Sequence, residues 1–492
     1  MTKKTRNALT ITFSLLFLLT APIIFFYSQG YRLDWEKKTL TQTGAFYFKV
    51  SPRKVNIFLN RKLRKKTDWL SGSAFIENVL PKKYTVEIKK DGFHPWKKDL
   101  EATGQMVTEA KNIVLIPENI NFEILAGNVN NIFFAPDGKK AILRETYLKK
   151  GTPLTETKTK ESWVLNILDL RQKIKTSFIE DSKLSPKTVE FVDLKWSPDS
   201  KRVLLKTRIA QETKYFILDV QNNKPAILNP LDFIDKNTED IFFNAQAPQK
   251  VFFAKAELGS AKQDINQNIS EIEHKTFSIY EALLNEKKIL APLVKNTLAY
   301  KINSRNIFWL SSDGFLFKSD LSGNNRERVS FKPFPLQKET EYQIEEIYPK
   351  IFLKEDKKLF VFNEETEEFE QVLEPVKNLN LCSDLKKIAA WNNSEIWVLF
   401  LEIQDYQPQK EMGEVMFLFR FSTKIDKVVW FTEHYLIFNT GDKIKIAEID
   451  DRDQINIVNV GEFENPEIFF NINYKNLYIL SKNRLFVSKP IL

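Results

Sequence analysis

The N-terminal part of the chain has a hydropathy pattern that differs from the remainder. No charged residue occurs between Asn7 and Tyr31, and an apolar stretch begins at Ala8 and ends at Tyr27. About 20 residues of this kind are what an α-helix needs to cross the roughly 30 Å of hydrocarbon in a bilayer. The pattern therefore predicts that residues 1–30 form a cytoplasmic tip and a transmembrane helix in contact with membrane lipid, with residues 31–42 as a juxtamembrane linker.

The charges that flank this helix predict its orientation. Lys3, Lys4 and Arg6 precede it, and basic residues next to a span are retained in the cytoplasm. We expect a single uncleaved pass through the cytoplasmic membrane, with the N-terminus inside and the bulk of the chain extracytoplasmic. A cleaved signal peptide is one alternative, but residues 21–27 are bulky where cleavage requires small side chains. A buried core helix, the other alternative, would need a polar face.

Residues 43–117 alternate between apolar and polar positions with the period of β-strands. Turn-forming sequences such as Ser51-Pro52 and Asp91-Gly92 interrupt the alternation. The pattern predicts a small β domain with strands at 45–50, 55–59, 74–79, 84–89 and 107–115.

Four short motifs in this segment keep a recognisable order and spacing. They are Val50-Ser51-Pro52, Val55-Asn56-Ile57-Phe58-Leu59-Asn60, Leu80-Pro81-x-x-Tyr84-Thr85-Val86 and Lys89-Lys90-Asp91-Gly92-Phe93. In these motifs the segment resembles the PEGA domain, a small β-sandwich of extracytoplasmic and surface-layer proteins. The family's usual Glu-Gly-Ala is Arg53-Lys54-Val55 here, and its usual glycine before the tyrosine is Lys83. The resemblance implies a module close to the membrane surface or the cell wall, without catalysis.

Residues 118–492 repeat a unit of strand, turn and strand. The unit is clearest at 131–143, around Pro136-Asp137-Gly138, and at 193–205, around Pro198-Asp199-Ser200. In both copies proline sets the turn and aspartate binds neighbouring backbone N–H groups. Weaker copies occur at 240–256, 296–321, 347–362, 379–401, 428–449 and 467–487. Eight copies in 375 residues give a period close to the roughly 40–50 residues of a propeller blade.

The two clear copies resemble the Trp-Ser-Pro-Asp-Gly-Lys repeat of TolB-like and WD40-like propellers. This resemblance implies a seven- or eight-bladed β-propeller over residues 118–492, in which radial repetition leaves only short sheet edges. Two stacked β-sandwiches are the alternative architecture. The polar segments 149–161 and 261–275 contain few strand-forming residues and are expected to be loops that project from one face.

The net charge of +9 is distributed unevenly along the chain. Residues 1–117 contain 21 Lys and Arg against 9 Asp and Glu, whereas the remainder contains 52 basic and 55 acidic side chains. The densest cluster, which we call the basic patch, consists of Arg61, Lys62, Arg64, Lys65 and Lys66. It is expected to project from a loop, since a strand cannot bury unpaired charges.

Beside a membrane anchor, the basic patch is predicted to bind anionic head groups or anionic cell-wall polymer. A soluble fragment of residues 43–117 should then bind anionic surfaces in a salt-dependent way, and changing Arg64, Lys65 and Lys66 to serine should weaken that binding. A solvated lysine-rich face without a ligand is the alternative. Nucleic acid is not an expected partner, because no nucleic-acid motif accompanies the charge.

No catalytic constellation, cofactor site or metal site is predicted. His94, His274 and His434 are scattered without metal-ligand spacing. There is no nucleophile elbow and no phosphate-binding glycine loop. Cys382 is interpreted as a buried strand residue rather than a nucleophile.

The aspartates of the repeat turns and the tryptophans of the strands are both interpreted as structural residues. Asp137 and Asp199 are interpreted as turn formers rather than catalytic acids. The recurrent tryptophans are expected to pack between blades rather than to stack on sugars: Trp163, Trp196, Trp309, Trp391, Trp397 and Trp430.

Together these features indicate an all-β, non-enzymatic, membrane-anchored scaffold or binding protein. The anchor fixes the chain to the membrane, and the basic domain lies near head groups or wall. The propeller presents a face to an unidentified protein or glycan partner. The alternative is a propeller-type hydrolase of glycans or peptides, which would require carboxylates to converge in the central channel.

Overall fold

The computed structural model describes residues 3–149, 160–221, 226–234, 237–265, 268–347 and 350–491. It begins with the helix α1 (Lys3–Ser28). The segment Thr5–Ser28 has a mean hydropathy of 2.3, and its apolar side chains are not buried against the protein. Within the described ranges, α1 is the one helix that is long and apolar enough to cross a membrane. A short 3-10 turn, Asp181–Lys183, is the other helical element.

An antiparallel hairpin follows α1. It consists of β1 (Tyr31–Asp34) and β2 (Thr39–Gln42). The segment that the sequence predicted as a linker is therefore regular structure, with a defined register between its strands.

The next seven strands form two sheets around one core. They are β3 (Gly44–Ser51), β4 (Asn56–Leu59), β5 (Lys62–Lys66), β6 (Ser73–Val79), β7 (Lys83–Lys89), β8 (Trp96–Glu101) and β9 (Val107–Val114). One sheet has the order β6-β3-β9, with β3 parallel to β9, and the other has the order β5-β4-β7-β8. Alternate side chains of both sheets, including Phe46, Ile57 and Val86, form a shared core. We call residues 44–114 the small domain.

The five strands predicted for the small domain are present, and the sequence missed two. β8 was missed because Lys98 occupies an inward position between Trp96 and Leu100, where the pattern requires an apolar residue. β5 was missed because every one of its side chains is exposed. It therefore has no buried face to produce an alternating pattern.

The remaining strands form a closed ring. Its first three sheets in chain order begin after β10 (Phe122–Gly127). The first consists of β11 (Val129–Phe134), β12 (Lys140–Lys149), β13 (Lys160–Asp169) and β14 (Ile174–Glu180). The second consists of β15 (Val189–Trp196), β16 (Arg202–Ile209), β17 (Glu212–Asp219) and β18 (Ala226–Pro230). The third has seven strands: β19 (Thr238–Phe243), β20 (Lys250–Ile265), β21 (Asn268–Leu283), β22 (Lys288–Ile302), β23 (Asn306–Ser311), β24 (Leu316–Asp320) and β25 (Glu327–Arg328).

Three further four-stranded sheets continue the ring. They are β26 (Tyr342–Ile347), β27 (Lys350–Glu355), β28 (Lys358–Asn363) and β29 (Glu368–Leu373); then β30 (Asn378–Leu381), β31 (Lys387–Trp391), β32 (Glu395–Phe400) and β33 (Val415–Arg420); then β34 (Ile425–Thr432), β35 (Tyr435–Thr440), β36 (Lys443–Glu448) and β37 (Ile457–Glu462).

The last sheet closes the ring, because it joins both ends of residues 118–492. Its strands β38 (Glu467–Asn471), β39 (Asn476–Ser481) and β40 (Arg484–Ser488) are completed by β10, which pairs with β40. Hydrophobic clusters lie between consecutive sheets; one contains Leu165 from the first sheet and Leu205 from the second. Up-and-down sheets that repeat around a closed ring are the topology of a β-propeller. Stacked sandwiches do not describe this arrangement.

The predicted loop at 261–275 is wrong. Apart from residues 266–267, which lie outside the described ranges, this segment belongs to the long β20–β21 hairpin. Its sequence is mostly polar and therefore resembles that of a loop. Most of the other predicted loop, residues 150–159 of 149–161, lies outside the described residues.

Candidate functional site

The basic patch is a strand, not the predicted loop. Lys62–Lys66 is β5, an edge strand of the small domain, and Arg61 lies in the tight turn before it. The side chains avoid burial, as predicted, because an edge strand of this kind can expose both of its faces. Lys65 Nζ donates a hydrogen bond to the Phe75 carbonyl oxygen at 2.8 Å. Lysine on an exposed edge also discourages pairing with another chain, and this role requires no ligand.

The patch begins at the end of the small domain that lies nearest to α1. Asn60, at the turn before β5, accepts a hydrogen bond from Thr85 N at 3.0 Å. Lys82, three residues earlier than Thr85, pairs with Glu36 of the β1–β2 hairpin at 2.9 Å. The start of β5 therefore lies on the same side of the domain as the hairpin that follows the helix.

The opposite edge strand, β8, docks on the ring through a buried ion pair. Lys98 is 1% exposed, and its ammonium lies 2.9 Å from Glu448 Oε1, at the end of β36. The same ammonium donates to the Asp450 carbonyl oxygen at 2.5 Å. Trp96 Nε1 donates to Glu448 Oε2 at 2.7 Å. We call this network of Trp96, Lys98, Glu448, Asp450 and Arg452 the clamp.

Arg452 extends the clamp to the second sheet of the small domain. Its guanidinium pairs with Asp450 Oδ2 at 2.5 Å and donates to the Glu109 carbonyl oxygen, in β9, at 2.6 Å. Asp450 is thus shared between Arg452 and Lys98, whose ammonium lies 3.7 Å from its Oδ1. Both sheets of the small domain are therefore fastened to one turn of the ring.

Side chains of the ring also cover the backbone of β8. Asn456 Oδ1 accepts from Lys97 N at 3.1 Å, and Asn456 Nδ2 donates to the Lys97 carbonyl oxygen at 3.0 Å. Asp453 Oδ2 accepts from Asp99 N at 2.8 Å. Because these contacts satisfy the free edge of β8, the strand cannot pair with another sheet.

Burial controls the electrostatics of the clamp. Desolvation raises the pKa of Glu448, although the charge of Lys98 opposes that shift. Desolvation would also raise the pKa of Asp450, but hydrogen bonding and charge from Arg452 outweigh it and lower that pKa. A buried ammonium without its carboxylate, or the reverse, would be strongly unfavourable. Lys98 of the small domain and Glu448 of the ring therefore stabilise each other's charge, although more than 300 residues separate them in the sequence.

No sequence motif marks the clamp. Glu448 and Asp450 are ordinary carboxylates at the end of a strand, and their partner lies in another domain. One signal was available: the alternation Trp96-x-Lys98-x-Leu100 places the lysine on the same face as two apolar residues. An inward lysine must find a counter-charge, because a lone buried charge is too costly.

The clamp and the long β20–β21 hairpin lie on opposite faces of the ring. In up-and-down sheets the turns after first and third strands share one face, and the turns after second and fourth strands share the other. The clamp comes from the turn after β36, a third strand. Tyr435, at the start of β35, accepts from Val114 N of the small domain at 3.0 Å on the same face. The long β20–β21 hairpin joins a second strand to a third and lies on the other face.

A cavity of about 450 Å³ lies between the second and third sheets. Its lining includes Glu239 and Asp240, at the start of β19, and Phe277 in the hairpin. The remaining lining residues are Val192, Asp193, Lys195, Leu204, Lys206, Tyr215 and Tyr300. Aromatic surface combined with a few polar groups is typical of a ligand pocket.

Ion pairs neutralise two of the three carboxylates in this cavity. Lys195 Nζ lies 2.7 Å from Asp240 Oδ2, and Lys275 Nζ lies 2.5 Å from Glu239 Oε1. Asp193 accepts the N–H of Leu194 at 2.8 Å. Burial raises the pKa of Tyr215 to about 12, so its hydroxyl stays protonated at neutral pH. The cavity thus presents neutral aromatic surface and largely compensated charge.

Three tryptophans join neighbouring sheets, as the sequence predicted. Trp163 Nε1 donates to the Val189 carbonyl oxygen at 2.8 Å, and Trp196 Nε1 to the Phe133 carbonyl oxygen at 2.9 Å. Trp430 Nε1 donates to the Asn380 carbonyl oxygen at 2.9 Å. Trp309, Trp391 and Trp397 are also buried in the ring.

The two repeat aspartates are turn formers, as predicted. Asp137 Oδ1 accepts from Lys139 N at 2.9 Å, and Asp199 Oδ1 accepts from Lys201 N at 3.1 Å. Cys382 is fully buried at the end of β30, and burial raises the pKa of its thiol to about 12. Asp137, Asp199 and Cys382 therefore have structural positions in the ring.

His434 belongs to no candidate metal site in the described part of the chain. His434 lies beside Tyr406 under the small domain, at 3.4 Å from Nε2 to the phenol oxygen. Burial, followed by the charge of Lys387, lowers the pKa of His434 to about 4. Among the residues that the structure describes, no group of three or more His, Cys, Asp or Glu side chains is placed to hold a metal ion.

Comparison with known proteins gives structural likenesses at low identity. No protein-family model matches the chain, and no curated protein matches it. The β-propeller domain of Cps50 (Swd1) from Myceliophteria thermophila is 11% identical with a TM-score of 0.36, covering 76% of this chain and 99% of that one. An oligogalacturonate lyase from Vibrio parahaemolyticus is 12% identical with a TM-score of 0.39, covering 75% and 97%. The propeller assignment rests on the strand topology described above.

Proposed function

We propose that this protein is a membrane-anchored extracytoplasmic scaffold or binding protein. In this proposal α1 crosses the cytoplasmic membrane with its N-terminus inside, and the basic patch lies near anionic head groups or cell-wall polymer. The small domain is a PEGA-like sandwich, which its two sheets and common core support. The ring then presents a binding face to a partner outside the cell.

The ring is proposed to have eight blades. Six of its seven sheets have four strands, and the third has seven. The long strand β22 pairs with β21 through residues up to Thr297, and with β23 from Thr297 onward. If β22 serves as the last strand of one blade and the first of the next, the seven-stranded sheet is two blades. This count agrees with the eight repeat copies in the sequence.

The clamp is the observation that carries the proposal. It joins β8 and β9 of the small domain to the ring through buried ion pairs and hydrogen bonds. Such contacts have one geometry, so the ring cannot rotate freely on the domain that follows the helix. The face that bears the long β20–β21 hairpin is then directed away from the face that is attached to the anchor. A fixed orientation of this kind is what a scaffold requires.

The hydrolase alternative has less support from the geometry. Glycoside hydrolysis uses two carboxyl groups about 5–10 Å apart with distinct roles. In the cavity, Asp240 and Glu239 are each paired with a lysine. This compensation favours binding over acid–base chemistry as the role of the cavity.

A sedimentation experiment with residues 43–492 tests the role of the basic patch. This fragment lacks the helix and the hairpin but keeps the ring, which covers Trp96 and Lys98. We expect it to sediment with anionic vesicles and with purified anionic wall polymer at low salt. Each basic group near such a surface contributes about 1 kcal/mol, and screening acts within about 10 Å at 0.1 M salt. Binding should therefore weaken as salt is added.

The variant for this test is K62S/R64S, which leaves the hydrogen bond of Lys65 intact. We expect it to lose tenfold or more in affinity. The matched control, R53S/K54S, removes the same charge from the end of the domain that faces the ring, and should change affinity much less. Equal losses in both variants, or no binding by the unmodified fragment, would contradict a specific role for the patch.

A further inference from the structure

The β1–β2 hairpin exposes an apolar face directly after the helix. Leu33 and Leu40 are cross-strand partners, so their side chains lie on the same face. They are 44% and 50% exposed, and Trp35 in the turn between the strands is 81% exposed. No large apolar side chain of α1 is as exposed as Trp35. A soluble surface does not usually present a tryptophan in this way beside two leucines.

The other face of the hairpin is fastened to the small domain by polar contacts. Arg32 Nη2 donates to Asn78 Oδ1 at 2.7 Å, and Glu36 pairs with Lys82 at 2.9 Å. Asp34 is buried and caps the turn by accepting from Glu36 N at 2.9 Å. The apolar face therefore cannot turn inward, because the hairpin is already held by its opposite side.

The base of the hairpin is tied to the end of α1. Arg32 Nη1 donates to the Tyr27 carbonyl oxygen at 2.9 Å, and its guanidinium lies 3.6 Å from the centre of the Tyr27 ring. Thr43 N, just after the hairpin, donates to the Gly30 carbonyl oxygen at 2.9 Å. A four-residue strand is only about 13 Å long. The whole hairpin thus lies within a short distance of the point where the apolar helix ends.

We infer that this hairpin is a membrane-interface element, with Leu33, Leu40 and Trp35 buried at the boundary between lipid head groups and acyl chains. The inference rests on the proposed insertion of α1 in the membrane. Tryptophan is enriched at that boundary because its ring is apolar and its N–H is polar. Lys37 and Lys38, in the same turn as Trp35, supply charge that complements anionic head groups.

This arrangement would seat the small domain on the membrane. β3 runs from the hairpin end at Gly44 to the ring end at Ser51, where Val50 N bonds to the Gly72 carbonyl oxygen. Eight residues of strand span about 25 Å. Trp69, next to that far end, is also exposed, at 67%. It therefore provides a matched tryptophan that should lie well outside the lipid.

Quenching of tryptophan fluorescence in the full-length protein tests the inference. The protein is reconstituted in vesicles of phosphatidylcholine and phosphatidylglycerol, with phosphatidylcholine brominated on the acyl chains near the head group. Unmodified protein and W69F should show the same quenched component of emission. W35F should lose most of that component. Both substituted side chains are largely exposed, so neither change should disturb folding.

Flotation of the same vesicles separates this inference from the proposed anchoring. If all three proteins float with the vesicles but W35F is quenched as strongly as unmodified protein, the hairpin does not lie at the interface and the anchor stands. If quenching disappears in W69F instead, the opposite end of the domain faces lipid, and the inference is overturned. If the proteins do not float, the anchoring and the inference fail together.

Discussion

Replacement of Lys98 by alanine is expected to lower the free energy of unfolding by about 3–5 kcal/mol, which is the range for breaking a buried ion pair by removing one partner. Glu448 would remain buried at the end of β36 with its ammonium partner gone. Asp450 would keep Arg452 but lose Lys98. Urea unfolding of the full-length protein in detergent micelles measures the change.

The neighbouring lysine provides a control for the K98A variant. Lys97 lies on the same strand with its side chain exposed, so K97A should change stability by no more than about 0.5 kcal/mol. The double variant K98M/E448Q should recover part of the loss, because it removes both charges. The recovery is incomplete because the single glutamine oxygen can accept from Trp96 Nε1 or from Asn456, but not from both. A cost for K98A no greater than that for K97A would mean that the clamp does not hold the domains together.

Removal of β10 is expected to prevent the ring from closing. A fragment of residues 118–492 should be monomeric and rich in β-structure by circular dichroism, because it keeps the pairing of β10 with β40. A fragment of residues 129–492 should aggregate. It exposes the edge of β40 and the cluster in which Ala126 packs with Tyr478 and Leu485.

The expected loss of stability follows from the backbone hydrogen bonds between β10 and β40 that the shorter fragment lacks. β10 and β40 are paired at five positions, and backbone hydrogen bonds contribute about 1 kcal/mol each. The loss is therefore about 5 kcal/mol before any apolar burial is counted, which is comparable to the whole stability of many domains. Size-exclusion chromatography and thermal unfolding compare the fragments. Equal solubility and cooperativity of both, or a helical spectrum for 118–492, would contradict a ring closed by its two ends.

Local chemistry made much of the ring predictable from the sequence. Pro136-Asp137-Gly138 and Pro198-Asp199-Ser200 mark turns because their backbone and side-chain preferences act within a few residues. Tryptophans that recur on strands predicted packing between sheets, and Trp163, Trp196 and Trp430 bond to the adjacent sheet. These features recur in several copies of the repeat, so the prediction of the ring does not depend on any single copy.

Features that depend on distant partners were not predictable in the same way. Lys98 belongs to a strand that looked polar until its carboxylate, 350 residues later, was placed beside it. β5 has no buried face, so hydrophobic alternation could not distinguish it from a loop. The segment 261–275 of the long β20–β21 hairpin is mostly polar, so its composition could not be distinguished from that of a loop. The cavity residues come from six strands, and no short motif joins them.

Labelling of single introduced cysteines in intact cells tests the central claim, that the chain is anchored by α1 with its small domain and ring outside. The native Cys382 is fully buried with its thiol pKa raised to about 12, so it should contribute little background. E77C, at an exposed position of β6, should react with a membrane-impermeant thiol reagent. T5C, at the start of α1, should react only after the cells are permeabilised. Protection of E77C in intact cells, or a mature N-terminus beyond Ala21, would contradict the claim.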